Sequence, residues 1–456
     1  MVRRIALYAG PLAALAVFLL LQSRGASADV AWTAAVTTLC AGWWIFEPIP
    51  IPATSLVPIA VFPLIGVLTP AQVGEAYGNP LILLLLGGFI LSTAMEKSGA
   101  HRRIALGMVS AFGGRSGRHL VFGFMAAAAF LSMWISNTAT TLMLLPIVLA
   151  VLERVEDDRL KVSLLLGVAY AASVGGVGTP IGTPPNLIFM EVYQENTGQE
   201  VTFFGWMSWA LPVVAVMIPL TALWLTRGLS HARAITMPPV AAWRSEEVRT
   251  LVVFAVTAVL WMTRREPFGG WSAWLDLPGA NDASVALLAV VVMFLVPNGR
   301  GGRLLDWDTA VRIPWGILIL FGAGITIAKA FVSSGLSTSL GEMVAGLDAL
   351  PVLVMILLTC LSVTFLTEVT SNTATTTLLM PILAAAATTA GFDHRLIMVP
   401  AAMSASFAFM LPVATGPNAV IFSSGELTVK QMAREGFALN LVGAAVVTGG
   451  CYLLFT

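Results

Sequence analysis

Ser136-Asn137-Thr138-Ala139-Thr140 is repeated letter for letter as Ser371-Asn372-Thr373-Ala374-Thr375, 235 residues further on (371 − 136). Both copies lie in long apolar stretches. Hydroxyl and amide groups are costly to bury there unless their polar atoms are used. Each copy is followed by an apolar run that ends in proline, at Pro146 and at Pro381. A polar element that recurs after half a chain, in an apolar setting, points to a binding site between two pseudo-symmetric halves.

The setting is apolar throughout. Of 456 residues, 57% are hydrophobic and only 11% are charged, where a soluble protein carries about a quarter. Blocks such as Ile5 to Leu21, Trp206 to Leu225, Ile313 to Val332 and Phe437 to Phe455 approach the roughly 20 residues needed to cross a bilayer. The chain therefore reads as an all-α polytopic membrane protein. The first block follows Arg3 and Arg4 and reads as a transmembrane helix rather than a cleaved signal. The 24 Lys and Arg balance the 24 Asp and Glu, which gives no reason to expect nucleic acid as a partner. Cys40, Cys360 and Cys451 are scattered in apolar runs and read as small buried residues. The four histidines have no metal-ligand spacing. No nucleophile–base pair appears, which argues against an enzyme, and no cofactor is expected.

Loop charges orient the chain. With the N terminus cytoplasmic, the cations at 101–119, 227–249, 300–303 and 430–434 fall inside, whereas 191–200 and 333–350 carry no Lys or Arg. Arg24, Arg264, Arg265 and Arg395 are exceptions. The alternation requires about eleven spanning helices, an external C terminus in the cell membrane, and two segments that enter without crossing. These are a hairpin at 119–150 from the cytoplasm and one at 351–386 from outside, with the Ser-Asn-Thr copies at their tips. Irregular backbone at membrane depth is tolerated where it is buried in protein or lines a cavity.

The repeat extends past the tips. Gly88 to Gly99 parallels Gly324 to Gly335. Downstream, Gly175-Gly176-Val177-Gly178-Thr179-Pro180-Ile181-Gly182-Thr183-Pro184-Pro185-Asn186 has its counterpart in Leu411-Pro412-Val413-Ala414-Thr415-Gly416-Pro417-Asn418. Proline removes a helical donor and glycine frees the backbone. Each helix should unwind there, exposing carbonyls for a cation and a half-helix N terminus for an anion. The chain divides accordingly: N-terminal scaffold helices at 1–49, a first inverted repeat at 50–190, connecting helices and a cytoplasmic linker at 191–284, a second repeat at 285–425, and a C-terminal helix at 426–456.

The tips and breaks hold no Lys or Arg. Neutral Asn, Ser and Thr groups can hold a carboxylate or sulfate, but its charge then needs compensation, and bound sodium would supply it. Ser132 lies one helical turn before Ser136, and Thr367 one turn before Ser371. Glu368 stands three residues before Ser371 and is open to a proton-linked, supporting or structural role. Glu47 is a second acidic residue within apolar sequence. Lys97 and Lys329 stand near helix ends, where snorkelling to the interface accounts for them.

These residues resemble the divalent anion:sodium symporter family over nearly the whole chain. The paired Ser-Asn-Thr segments, Thr179 to Asn186, and Ala405 to Asn418 carry the resemblance. It implies a homodimer of eleven-helix protomers with two re-entrant hairpins and an elevator-like motion. It implies one sodium near Ser132, Ser136, Asn137 and the Gly182 carbonyl, and a second near Thr367, Thr370, Asn372 and the Ala414 carbonyl. The anion would lie between them, at Asn137, Thr138, Asn372 and Thr373, with Thr183, Pro184 and Thr415 nearby. In some relatives a proline occupies the Gly416 position, so glycine leaves that wall less rigid. The expected function is sodium-coupled uptake of C4 dicarboxylates such as succinate, malate or fumarate. A sulfate or citrate symporter fits the same pattern. A sodium-independent dicarboxylate exchanger is disfavoured by the Ser, Thr and Asn retained at both sodium positions. A channel would not need two gated, opposed hairpins.

Overall fold

The computed structural model describes residues 2–112, 116–153, 157–229, 242–266, 268–343 and 350–456. Among them the regular elements are helices, with one isolated β-bridge between Pro297 and Arg303. Among the described residues six helices are long and apolar enough to cross a membrane: Arg3–Ser23, Pro70–Ser98, Phe203–Leu225, Trp315–Ser334, Asn372–Ala390 and Val429–Phe455. Large apolar side chains such as Leu223, Val252, Leu288 and Leu453 face outward. Water would penalise that surface, whereas lipid does not.

Each Ser-Asn-Thr copy lies where two helices meet. In the first half, Gly117–Ser132 stops, four residues intervene, and Asn137–Leu152 begins. In the second, Val352–Thr367 and Asn372–Ala390 are arranged likewise. Three of these arms have 16 residues, so each is about 24 Å long, short of the roughly 30 Å hydrocarbon core.

Asp158–Gly176 ends at the first Gly/Pro run, and the chain resumes as Pro184–Thr197. Arg395–Ser404 ends similarly and resumes as Gly416–Phe422. Packing then exchanges partners between halves. Asn137–Leu152 of the first hairpin packs on Gly416–Phe422 of the second break. Asn372–Ala390 of the second hairpin packs on Pro184–Thr197 of the first break. This reciprocal crossing places both tips and both breaks around one space. A smaller core of Val36, Trp44, Phe62, Phe331 and their neighbours ties the N-terminal helices to Trp315–Ser334.

Candidate functional site

The tips and breaks enclose a cavity of about 620 Å³. Ser136, Asn137, Thr138, Gly182, Thr183, Pro184, Thr370, Asn372, Thr373, Ala414, Thr415 and Gly416 all line it. Ser132 and Thr367 lie behind it, fully buried. Ser132 Oγ donates to Asn137 Oδ1 at 2.5 Å, and Thr367 Oγ1 donates to Asn372 Oδ1 at 2.6 Å. The correspondence continues one turn on, where the Thr141 and Thr376 hydroxyls donate to the Asn137 and Asn372 carbonyls at 2.9 and 2.8 Å. Thr370 differs from its neighbours. Its hydroxyl is engaged with the Leu366 carbonyl at 2.8 Å and with Thr375 at 2.6 Å.

The two breaks share one fastening. Asn186 Nδ2 donates to the carbonyls of Gly176, Val177 and Thr179 at 3.2, 3.3 and 2.7 Å. Asn418 Nδ2 donates to those of Ala408 and Leu411, both at 3.0 Å. Unwinding leaves these carbonyls without helical donors, and the Pro-Asn pair supplies them from the first turn of the following half-helix. Two glycines permit close approach. A Cβ at Gly176 would overlap the Asn137 amide, and one at Gly416 would overlap the Thr138 hydroxyl.

Four helices begin at the cavity, with Asn137, Pro184, Asn372 and Gly416 as their first residues. First-turn N–H groups have no intrahelical acceptor. Pro184, Pro185 and Pro417 carry no N–H, Ser371 and Thr415 cap those of Ala374 and Asn418, and Ser136 makes no side-chain capping bond, so the Asn137 helix has the most open N terminus. The cavity therefore presents backbone donors and the positive ends of helix dipoles. The one ionisable residue among those lining it is Glu47. Its carboxylate lies 3.4 Å from Arg3. Such a site attracts an anion through neutral donors and leaves much of its charge uncompensated.

Glu368 is not a cavity residue. It is 3% exposed and reaches the second break. Its Oε1 accepts from Met410 N–H at 2.9 Å and from Asn440 Nδ2 at 2.7 Å, and its Oε2 from Leu411 N–H at 3.0 Å. Sequence reasoning missed Asn440, whose Oδ1 also accepts from Phe409 N–H at 3.1 Å. A lone amide in an apolar helix was its only signal. It also missed Tyr170, whose hydroxyl donates to the Phe409 carbonyl at 2.6 Å and joins the two broken helices. Lys97 and Lys329 are more than snorkelling residues. Lys97 pairs with Asp306 at 2.5 Å, and Lys329 lies 3.7 Å from Glu75 and 3.5 Å from Glu195.

Comparison with known proteins agrees with this architecture. A family model described as the sodium:sulfate symporter transmembrane region matches residues 3–453. The chain is 37% identical to the sodium-dependent dicarboxylate transporter SdcS of Staphylococcus saprophyticus, over 99% of this chain and 91% of the relative. It is 38% identical to SdcS of Staphylococcus aureus strain NCTC 8325, over 97% and 89% respectively. In fold it is similar to the Alcanivorax borkumensis YdaH transporter, with TM-score 0.58 and 15% identity over 86% of this chain and 87% of that one. It is also similar to Neisseria gonorrhoeae MtrF, with TM-score 0.60 and 14% identity over 94% and 95%.

Proposed function

The chain belongs to the sodium:sulfate symporter family, and from that premise we propose that it couples inward sodium movement to uptake of a C4 dicarboxylate. Family membership carries sodium-coupled anion transport across a membrane. The names of the staphylococcal relatives favour a dicarboxylate over sulfate. The observation that carries the reading is a cavity with helix N termini, two Asn tips and no lining Lys or Arg. A dianion there is poorly compensated until cations join it.

The two sodium ions occupy the positions behind the tips. The first takes oxygens from Ser132, Ser136, Asn137 and the Gly182 carbonyl. The second takes oxygens from Thr367, Thr370, Asn372 and the Ala414 carbonyl. The anion bridges Asn137, Thr138, Asn372 and Thr373. Asn137 and Asn372 can then serve both ligands, turning the amide oxygen to sodium and the amide nitrogen to the carboxylate. The hairpins and broken helices form the moving body of an elevator. The remaining helices form a scaffold through which two protomers pair. The repeats at 50–190 and 285–425 cross the membrane in opposite senses, with the N terminus cytoplasmic and the C terminus external.

The test is succinate binding to purified protein by calorimetry, in sodium chloride and in choline chloride at equal ionic strength. Succinate should bind tightly only in sodium. Coupling between the ligands is reciprocal, so succinate should tighten sodium by the same factor. Equal affinity in the two salts would reject symport in favour of the exchanger.

A further inference from the structure

A second cavity, of about 500 Å³, shares no lining residue with the first. It lies where three helix ends meet: the start of Asp158–Gly176, the end of Phe203–Leu225 and the start of Val429–Phe455. The last two helices are long and apolar enough to cross a membrane, so their ends sit at the boundary where lipid phosphates are found. Arg159, Arg227 and Arg434 line the cavity, beside the apolar Val162 and Leu225. Arg227 is committed. Its guanidinium lies 3.6 Å from the centroid of the Trp224 ring and donates to Glu435 at 2.7 Å. Arg159 is aimed but not neutralised, since its Nη1 donates to the Gly228 carbonyl at 3.1 Å. A Cβ at Gly228 would stand 2.5 Å from that same nitrogen. Among the described residues neither Arg159 nor Arg434 has an ion-pair partner. The other acid in the lining, Asp158, is exposed and lies 3.9 Å from Lys161. Three arginines against two carboxylates leave the lining with one net positive charge (3 − 2).

We propose that this cavity binds a phosphate group, supplied by the headgroup of an anionic phospholipid. The two cavities are opposite in chemistry. The first offers neutral donors and no lining Lys or Arg, whereas the second offers guanidinium groups from separate helices. A guanidinium can engage two phosphate oxygens at once and stays charged at any working pH. Arg159 and Arg434 stand near the starts of two helices, and one phosphate between them satisfies both charges. Arg227, pinned by Glu435, stands at the end of the third helix. Basic pockets between transmembrane helices hold lipid headgroups in this way. A free phosphate ion would fill only a small part of the roughly 500 Å³. A phospholipid uses the remainder, because Val162 and Leu225 give its glycerol and first acyl carbons an apolar wall.

The experiment follows the thermal midpoint of delipidated protein in a neutral detergent. Dihexanoyl phosphatidylglycerol, dihexanoyl phosphatidylcholine or inorganic phosphate is titrated in at constant ionic strength. Phosphatidylglycerol should raise the midpoint saturably, as a ligand of the native state does. Arg159→Gln and Arg434→Gln should each raise its half-maximal concentration by about tenfold. Gly228→Ala keeps every charge but displaces the Arg159 guanidinium, and should weaken binding likewise. Arg118→Gln, which removes an exposed arginine outside the cavity, should stay within about threefold of the unmodified protein. Arg434 is exposed, so Arg434→Gln keeps its fold, and the midpoint without lipid verifies this for each variant. Unchanged titrations in both arginine variants overturn the proposal. An equal loss in Arg118→Gln does so too, since it would mark general surface charge. Phosphatidylcholine as potent as phosphatidylglycerol would trace the effect to acyl chains and overturn it as well. Inorganic phosphate as potent as phosphatidylglycerol would overturn the lipid assignment and give the site to the free ion.

Discussion

The two hairpin tips share five letters and differ in how they are fastened. The first holds its neighbouring break through a single hydroxyl, Thr179 to the Met133 carbonyl. The second holds its break through a buried carboxylate that collects two N–H groups and an amide. Inside the tips the contrast continues. Thr370 and Thr375 bond to each other in the second, whereas Ile135 stands opposite Thr370 in the first and leaves the buried Thr140 hydroxyl without a partner. Cavity-facing features and the Asn186 and Asn418 fastenings of the breaks are therefore duplicated, while the contacts that tie each tip to its break have diverged. Duplication preserves what both half-sites must do chemically, and each half solves its own packing.

The breaks test that division most severely. Asn186 and Asn418 use their amides as donors to carbonyls, and the amide oxygen of each is buried without a partner. Asn186→Asp or Asn418→Asp would replace the donor with a charge facing carbonyl oxygens. An uncompensated buried charge costs about 3–5 kcal/mol, so both variants should fold poorly or show a large fall in thermal midpoint in detergent. Asn186, with three acceptors against two, should be the worse of the pair. Wild-type midpoints in both would mean that the breaks do not depend on these amides.

Next in size are the tip asparagines. Asn137→Ala and Asn372→Ala each remove an amide from the cavity wall; the first leaves the Ser132 hydroxyl without its Asn137 acceptor, while Thr367 keeps the Ala405 carbonyl at 3.1 Å. The cost is about 1–3 kcal/mol, or roughly five- to 150-fold in succinate affinity. The two losses should match within about threefold if the anion is shared evenly between tips. A properly inserted variant with unmodified uptake would remove that tip from the site.

The sequence disclosed the duplicated layer and little else. The tips were legible because identical pentapeptides in apolar surroundings need a reason. The breaks were legible because Gly and Pro at matching distances cannot continue a helix. The fold class followed from composition and apolar block length. Single-copy contacts were not legible. Tyr170 to Phe409 and Asn440 to Glu368 bridge 239 and 72 residues, and neither pair has a repeat partner to announce it. Nor were the bonds of the Thr370 hydroxyl to the Leu366 carbonyl and to Thr375 legible. Those bonds depend on the turn geometry between Thr367 and Asn372, which letters do not specify.

A smaller effect should follow at the point where the halves touch. Gly416 of the second break faces Thr138 of the first tip, and a methyl group at 416 would overlap the Thr138 hydroxyl. Gly416→Ala should weaken succinate binding by about tenfold, within the 1–3 kcal/mol typical of overpacking. If the cause is this overlap, Gly416→Ala in a Thr138→Ala background should cost much less beyond Thr138→Ala alone, because the hydroxyl is gone and only a 3.2 Å contact with the Cβ of residue 138 remains. Strictly additive losses would place the effect elsewhere.

The smallest expected effect lies on the surface, where the two halves also differ. Lys97 of the first half has one acidic partner, Asp306, while Lys329 of the second lies between two, Glu75 and Glu195. The Lys97 ammonium, together with the Thr309 hydroxyl and N–H, holds the Asp306 carboxyl down to about 2. A carboxyl lowered on folding binds its proton more weakly in the native state, so the stability it adds is complete above its ordinary range, near pH 4. It is lost as pH falls toward about 2. Asp306 is half exposed, at 51%, and solvent screening limits such pairs to less than about 1 kcal/mol. Asp306→Asn should therefore lower the thermal midpoint slightly at pH 6, and the difference from the unmodified protein should narrow below about pH 4 and close only near pH 2. High salt at pH 6 should narrow the same gap. A gap that persists at about pH 2 would detach the Asp306 contribution from its charge and so from Lys97.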